Sequence, residues 1–203
     1  MNSAIQKLIE ENIDYIEAEN FDAVYDEAMM VNHKLNIGEL TDVFYAAGID
    51  PLASLTEIPR LFLDESEITA LVIPENIKKI RKAGLAFSKI EYLKLHNNCE
   101  LSESCFHNSE LKSIIIPDIM NEVPDECFYN CQELSDVDLN AIEQIGAEAF
   151  AYCTSLKNIF IPDDINYIAD TAFEGCDITL YFHNKNEYAI SYCQRNNMEY
   201  KFV

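Results

Sequence analysis

The sequence predicts an α+β chain: a helical module, then a stacked solenoid, then a C-terminal cap. Three observations predict it. Apolar residues in the first 50 positions recur at helical spacing, columns of apolar residues then repeat at steps of 21 to 23, and that period stops after Asp177. Residues 1–54, 55–177 and 178–203 are therefore expected as three units.

Residues 3–18 carry one stripe, Ile5, Leu8, Ile9, Ile13 and Ile16, at i, i+3, i+4 spacing, with Ser3 placed as N-cap. A second helix is predicted after Asn20, with Phe21, Val24, Tyr25, Ala28 and Met29 inward. A third covers residues 38–47, with Leu40, Val43, Phe44 and Ala47 on one side. Gly48 suits the C′ position, which needs a positive φ. Residues 1–67 hold 15 Asp/Glu against 3 Lys/Arg, a net charge of −12. Two roles stand for this acidic module. It covers the open first coil, whose core and strand edge need a cover, or it recognises a partner through Glu10, Glu11, Glu17 and Glu19.

The solenoid is read from residues 156–177, LKNIFIPDDINYIADTAFEGCD. Leu156, Ile159 and Ile161 have the spacing of a short strand with one buried face. Pro162 stops the ladder, because proline has no backbone N–H. A segment this short buries too little surface to offset backbone ordering at about 1–2 kcal/mol per residue, so it needs copies above and below. The strand-opening copies are Ile68, Ile90, Leu111, Leu134, Leu156 and Ile178, at steps of 22, 21, 23, 22 and 22. Two further columns follow, Leu71, Leu93, Ile114, Val137, Ile159 and Ile73, Leu95, Ile116, Leu139, Ile161. On the return side the columns are Leu55, Ile77, Asn98, Met120, Ile142, Ile165; then Ile58, Ile80, Leu101, Val123, Ile145, Ile168; then Leu63, Leu85, Phe106, Phe128, Phe150, Phe173. Asn98 is the one polar residue among them. A period in the twenties reads as a solenoid, here with five full coils.

The stretches IIIPDIMNEVPDECFYNCQEL from Ile114 and IGAEAFAYCTSLKNIFIPDDINYIADTAFEGC from Ile145 resemble the BspA-like leucine-rich repeat, whose pattern is roughly LxxIxIPxxVxxIxxxAFxxC. The likeness covers residues 55–203 and does not extend to the helical module. It implies a right-handed leucine-rich-repeat solenoid with one short parallel strand per coil, and a role in binding rather than catalysis. Two coils depart from the pattern after the strand. One has His96 where proline is usual and Asn98 in an apolar column; another has Asn140 for proline and one residue fewer before Ile142.

After Asp177 the pattern changes. Ile178, Leu180 and Phe182 read as a last strand, Glu187–Arg195 as a short helix, and Met198, Tyr200 and Phe202 as a closing strand. This end resembles the terminal cap common in the family.

The formal charge is −22, which argues against nucleic acid, since phosphate contacts need lysine and arginine, and against anionic membrane surfaces. It favours solubility and a basic partner. With five glycines and six prolines, no flexible linker is evident. No export signature and no run of 18 apolar residues is visible, whereas many members of the family are surface proteins with export signals and wall anchors. The expected location is therefore the cytoplasm.

Five of the seven cysteines lie in repeat phase. Cys131, Cys153 and Cys176 share a column with Ser66, Ser88 and Ser109, while Cys105 and Cys127 share one with Ala149 and Ala172. Columns that alternate among Cys, Ser and Ala want a small buried side chain. The set His96, Cys99, Cys105 and His107 contains zinc-ligand types, but lacks a paired CxxC or HxxxH. No phosphate loop, GxSxG or HExxH is present. No catalytic, cofactor-binding or metal residue is assigned, and no cofactor is expected.

The surface that remains is the outer side of the strands. First, fourth and sixth strand residues point inward, so the third and fifth point out. The fifth-position column is Val72, Lys94, Ile115, Asp138 and Phe160, and the third-position column includes Tyr92, Asp136 and Asn158, with Tyr181 continuing the row. Scattered surface apolar groups are ordinary; phased on a rigid sheet they suit another protein or a second copy in a homodimer. The leading expectation is a non-enzymatic protein-binding scaffold. The alternative is an acidic inhibitor that imitates nucleic-acid charge on a basic partner, and small acidic repeat proteins resemble phage accessory proteins with counter-defence roles.

Overall fold

The computed structural model describes residues 41, 42, 45, 48, 50–53, 55–64 and 66–203. The predicted helix at 3–18 and the one after Asn20 lie outside these residues. In the third predicted helix, Thr41, Asp42 and Tyr45 are helical, and Asp42 Oδ1 accepts a 2.7 Å hydrogen bond from Ser66 Oγ on the first coil.

From there the chain runs through β1 (Glu57–Ile58), β2 (Ala70–Val72), β3 (Lys79–Ile80), β4 (Tyr92–Lys94), β5 (Glu100–Leu101), β6 (Ser113–Ile115) and β7 (Glu122–Val123). It continues with β8 (Asp136–Asp138), β9 (Gln144–Ile145), β10 (Asn158–Phe160), β11 (Tyr167–Ile168), β12 (Thr179–Phe182), helix α1 (Glu187–Arg195) and β13 (Glu199–Phe202). Even-numbered strands and β13 form the front of the solenoid, and the remaining odd-numbered strands form its back. The pairs are all parallel, with residues opposite their counterparts one coil away, as Leu71 with Leu93, Ile114 with Val137, Ile159 with Leu180, Ile58 with Ile80 and Val123 with Ile145. Strands β4 and β6, β5 and β7, and β8 and β10 fall in separate sheets. The expectation of one strand per coil is corrected to two. The back strands are two residues long and each buries one side chain, too little for an alternating pattern to show.

A third set of inter-coil bonds runs along the corner around the phenylalanine column. Ser104, Phe106 and Asn108 donate their N–H groups to Asp125, Cys127 and Tyr129 one coil on, at 3.0, 2.9 and 2.9 Å. The chain presents these groups by adopting left-handed backbone twice per corner, at Ser104 and Asn108, Glu126 and Asn130, Glu148 and Tyr152. Left-handed φ costs a non-glycine residue about 1 kcal/mol, and the bonds it enables offset that. Inside, Phe106, Phe128, Phe150 and Phe173 stack at centroid spacings of 5.2, 5.2 and 5.5 Å, with their planes within 8° of parallel.

One core column differs from its reading. Asn98 is exposed, and Cys99 fills its place, fully buried. The backbone shows the register. Ile77, Met120 and Ile165 each donate to the carbonyl three residues back, in Pro74, Pro117 and Pro162, and Cys99 does the same to His96. The coil is one residue shorter between this turn and its back strand, so the columns slip by one. His96 replaces the absent proline ring with a hydrogen bond from Nε2 to Ile77 O at 2.8 Å. Asn140 takes a left-handed φ of 53° and donates its N–H to Asp138 Oδ1 at 2.9 Å, which closes the other short turn, while its amide ties that turn to Asp118 of the preceding coil.

The C-terminal cap matches its expected elements. Asn186 accepts from Ala189 N as N-cap, and its own amide donates to Asp163 O and Ile165 O in the last coil. Tyr188 OH accepts from Ile168 N at 2.8 Å, which docks α1 on β11. Strand β13 extends the front ladder beside β12. Among the described residues, no helix is long and apolar enough to cross a membrane.

Candidate protein-binding face

The front strands hold their middle residue in the core and expose the two that flank it. Every three-residue front strand buries its centre or half-buries it, and exposes both ends. All the candidate residues of this face sit on it. Val72, Tyr92, Ile115 and Phe160 are 63%, 59%, 63% and 50% exposed, the highest among large apolar side chains of the front strands. Lys94, Asp136, Asp138 and Asn158 are exposed beside them, and Tyr181 is half-buried. Strands lie ~4.8 Å apart, so Val72 and Phe160 stand about 20 Å from each other at opposite ends of one row.

The structure brings Phe160 and Tyr181 together, with ring centroids 5.3 Å apart. It also adds two residues not foreseen on this face. His183 stacks on Phe160 at 5.6 Å, and Lys112 lies over the Tyr92 ring at 5.4 Å while pairing with Glu91. That hydrogen bond to Glu91 raises the Lys112 pKa. His183 follows β12 where Pro162 follows β10, because Phe160 pairs with Tyr181; counted from Ile178, the repeat spacing points to Asn184 instead, so the sequence did not show it. Glu10, Glu11, Glu17 and Glu19 lie outside the described residues.

The positive charge of the solenoid is largely tied up between coils. Lys79, Lys82, Lys89, Lys112 and Lys157 pair with Glu100, Glu103, Glu67, Glu91 and Asp177, and Arg81 and Arg195 pair with Glu57 and Asp170. Asp136 and Asp138 have no ion-pair partner among the described residues.

The zinc-like set does not converge. His96 faces Ile77 O, His107 stacks on Tyr129 at 4.6 Å, and Cys99 and Cys105 are in the core. Among the described residues, no group of three or more His, Cys, Asp or Glu is placed to hold a metal ion. Burial pushes the thiols of Cys99 and Cys131 up to about 11 and about 12. They stay protonated at neutral pH and are poor nucleophiles. Cys105 and Cys127 lie 3.3 Å apart, Sγ to Sγ, as free thiols.

A family model described as "BspA type Leucine rich repeat region" matches residues 56–180 in six copies, starting within the half-coil at 55–63. Two solved structures share the fold. The pneumococcal vaccine antigen PcpA is 22% identical over 66% of this chain with a TM-score of 0.55, and a leucine-rich repeat protein from Bacteroides ovatus is 24% identical over 74% with a TM-score of 0.53. The chain spans 37% and 46% of those two proteins' own lengths. No curated protein sequence matches it. The repeats, their register and the family match agree: this chain belongs to the BspA-type leucine-rich repeat family.

Proposed function

We propose that the chain is a non-enzymatic scaffold that binds another protein through the front of its solenoid. One observation carries this reading: Val72, Ile115 and Phe160 occupy the same strand position on different coils and are all half-exposed or more. An apolar row on a rigid sheet offers a partner pre-ordered area, with little side-chain entropy left to lose. The test is affinity capture from the native cell with wild-type bait and an Ile115→Lys/Phe160→Lys double variant. Loss of a captured protein from the variant, with an unchanged melt, supports the reading. Equal capture removes the front face from it.

The acidic-inhibitor alternative rests on the charge of −22 and on the inter-coil pairing of most described Lys and Arg residues. In that reading the partner is a basic protein, as for a phage counter-defence factor acting in the cytoplasm. Its binding would weaken steeply from low to moderate salt, because the Debye length shrinks to about 8 Å at physiological ionic strength. Binding through the apolar row would change little.

A further inference from the structure

The front ladder opens beside Phe160. Between β6 and β8, Ser135 N donates to Lys112 O at 3.0 Å and Ile116 N to Asp138 O at 2.9 Å. Between β10 and β12, Thr179 and Ile161 make the same two bonds with Lys157 and Tyr181. Between β8 and β10 neither counterpart forms; β4 and β6 also belong to separate sheets but keep one of the two, from Lys112 N to Glu91 O at 3.1 Å. A cleft of about 390 Å³ lies in this gap. Asp136 and Asp138 line one side, with Asn140 at the end; Phe160 and His183 line the other.

The two walls have complementary chemistry for one kind of group. Asp136 and Asp138 are two residues apart on a strand, so their carboxylates leave the same face. Neither has an ion-pair partner among the described residues, and Asp138 Oδ1 accepts only the Asn140 N–H at 2.9 Å. Opposite them, the Phe160 ring packs against Tyr181 and His183 of the next coil and lines the cleft with His183. A guanidinium is planar, stacks on aromatic rings and forks to carboxylates; an ammonium is a compact, strongly hydrated charge that does neither as well.

We propose that this cleft takes an arginine side chain from an extended basic segment of the partner protein. The inference rests on the protein-binding reading and gives that partner its chemistry. Ile115 stands two strands away, ~10 Å, which is about three residues of a polyproline II segment at ~3.1 Å each, a conformation that turns every third side chain to the same face. The segment therefore places an apolar residue on Ile115 and an arginine in the cleft three positions later.

The test uses a fluorescein-labelled peptide, Ser-Val-Thr-Thr-Arg-Thr-Ser, and its lysine and citrulline analogues, titrated with the full chain by anisotropy at physiological salt. The arginine peptide should bind about fivefold tighter than the lysine peptide and tenfold or more tighter than the citrulline peptide. The Asp136→Asn/Asp138→Asn variant should lose about tenfold for the arginine peptide and nothing for the citrulline peptide. A charge-matched control on the back of the solenoid, Glu122→Gln/Glu143→Gln, should stay within about twofold. Equal affinity for arginine and lysine, equal loss in both double variants, or no binding of the arginine peptide overturns the inference. If cellular capture is still lost with Ile115→Lys/Phe160→Lys in that case, the protein-binding reading stands without the arginine.

Discussion

The thiol of Cys131 donates to the carbonyl oxygen of Phe106, 25 residues earlier, at 2.9 Å. Cys153 and Cys176 repeat the contact with Phe128 and Phe150 at 3.0 and 3.1 Å, and Ser88 donates to Leu85 O at 2.7 Å. The column therefore selects a small donor as well as a small volume. Cys131→Ser should leave stability within about 1 kcal/mol of wild type. Cys131→Val removes the donor and crowds the coil, and should cost about 1–3 kcal/mol. Urea unfolding of the two variants decides the matter; a Val variant as stable as the Ser variant would remove the donor from the account.

The slip at Cys99 makes a sharp contrast between neighbours. Cys99→Asn places an amide in a fully buried column and should cost about 1–3 kcal/mol. Asn98→Ala changes an exposed residue and should stay within about 0.5 kcal/mol. Thermal melts of both reverse this order if Asn98 faces the core.

Gly146 is required by space rather than by φ. A Cβ there would stand 2.7 Å from Asp125 N and 3.0 Å from Pro124 C, both backbone atoms of the preceding coil. Gly146→Ala should therefore destabilise by about 1–3 kcal/mol, read from the urea midpoint. An unchanged midpoint would mean that the coils separate there more easily than their ladder bonds imply.

The link between the last coil and α1 depends on pH. Hydrogen bonds from Arg195 and then Asn196 lower the pKa of Asp170 below its ordinary value. The folded chain binds that proton less readily than the unfolded one, so the pair adds stability above the ordinary carboxylate pKa of about 4. That contribution is lost as the pH falls through the lowered value. Asp170→Asn should lower Tm at neutral pH, and the difference from wild type should vanish in acid. A constant difference across that range would exclude the ion pair as its source.

Much of the fold was legible because a solenoid writes one spacing many times. The three front columns, the phenylalanine column and the cap helix Glu187–Arg195 follow from apolar positions alone. The missed features are those that repetition hides. Asn98 and Cys99 differ by a one-residue slip that a fixed spacing absorbs, and the back strands bury one side chain each. The left-handed corners fall on Phe87, Glu126 and Glu148, which carry no glycine signal. Outward Ile115 and Phe160 were legible from the two-residue strand period. The cleft was not, because it comes from ladder bonds that are missing between β8 and β10.

The central claim is that the front face of the solenoid meets another protein, and site-specific photocrosslinking in the native cell tests it most directly. A benzophenone amino acid replaces Phe160 or Ile115 in one arm, and Tyr167, 49% exposed on the back, in the other. The account predicts one discrete crosslinked protein from both front positions and none from Tyr167. Crosslinks of equal yield from front and back, or from Tyr167 alone, would contradict it.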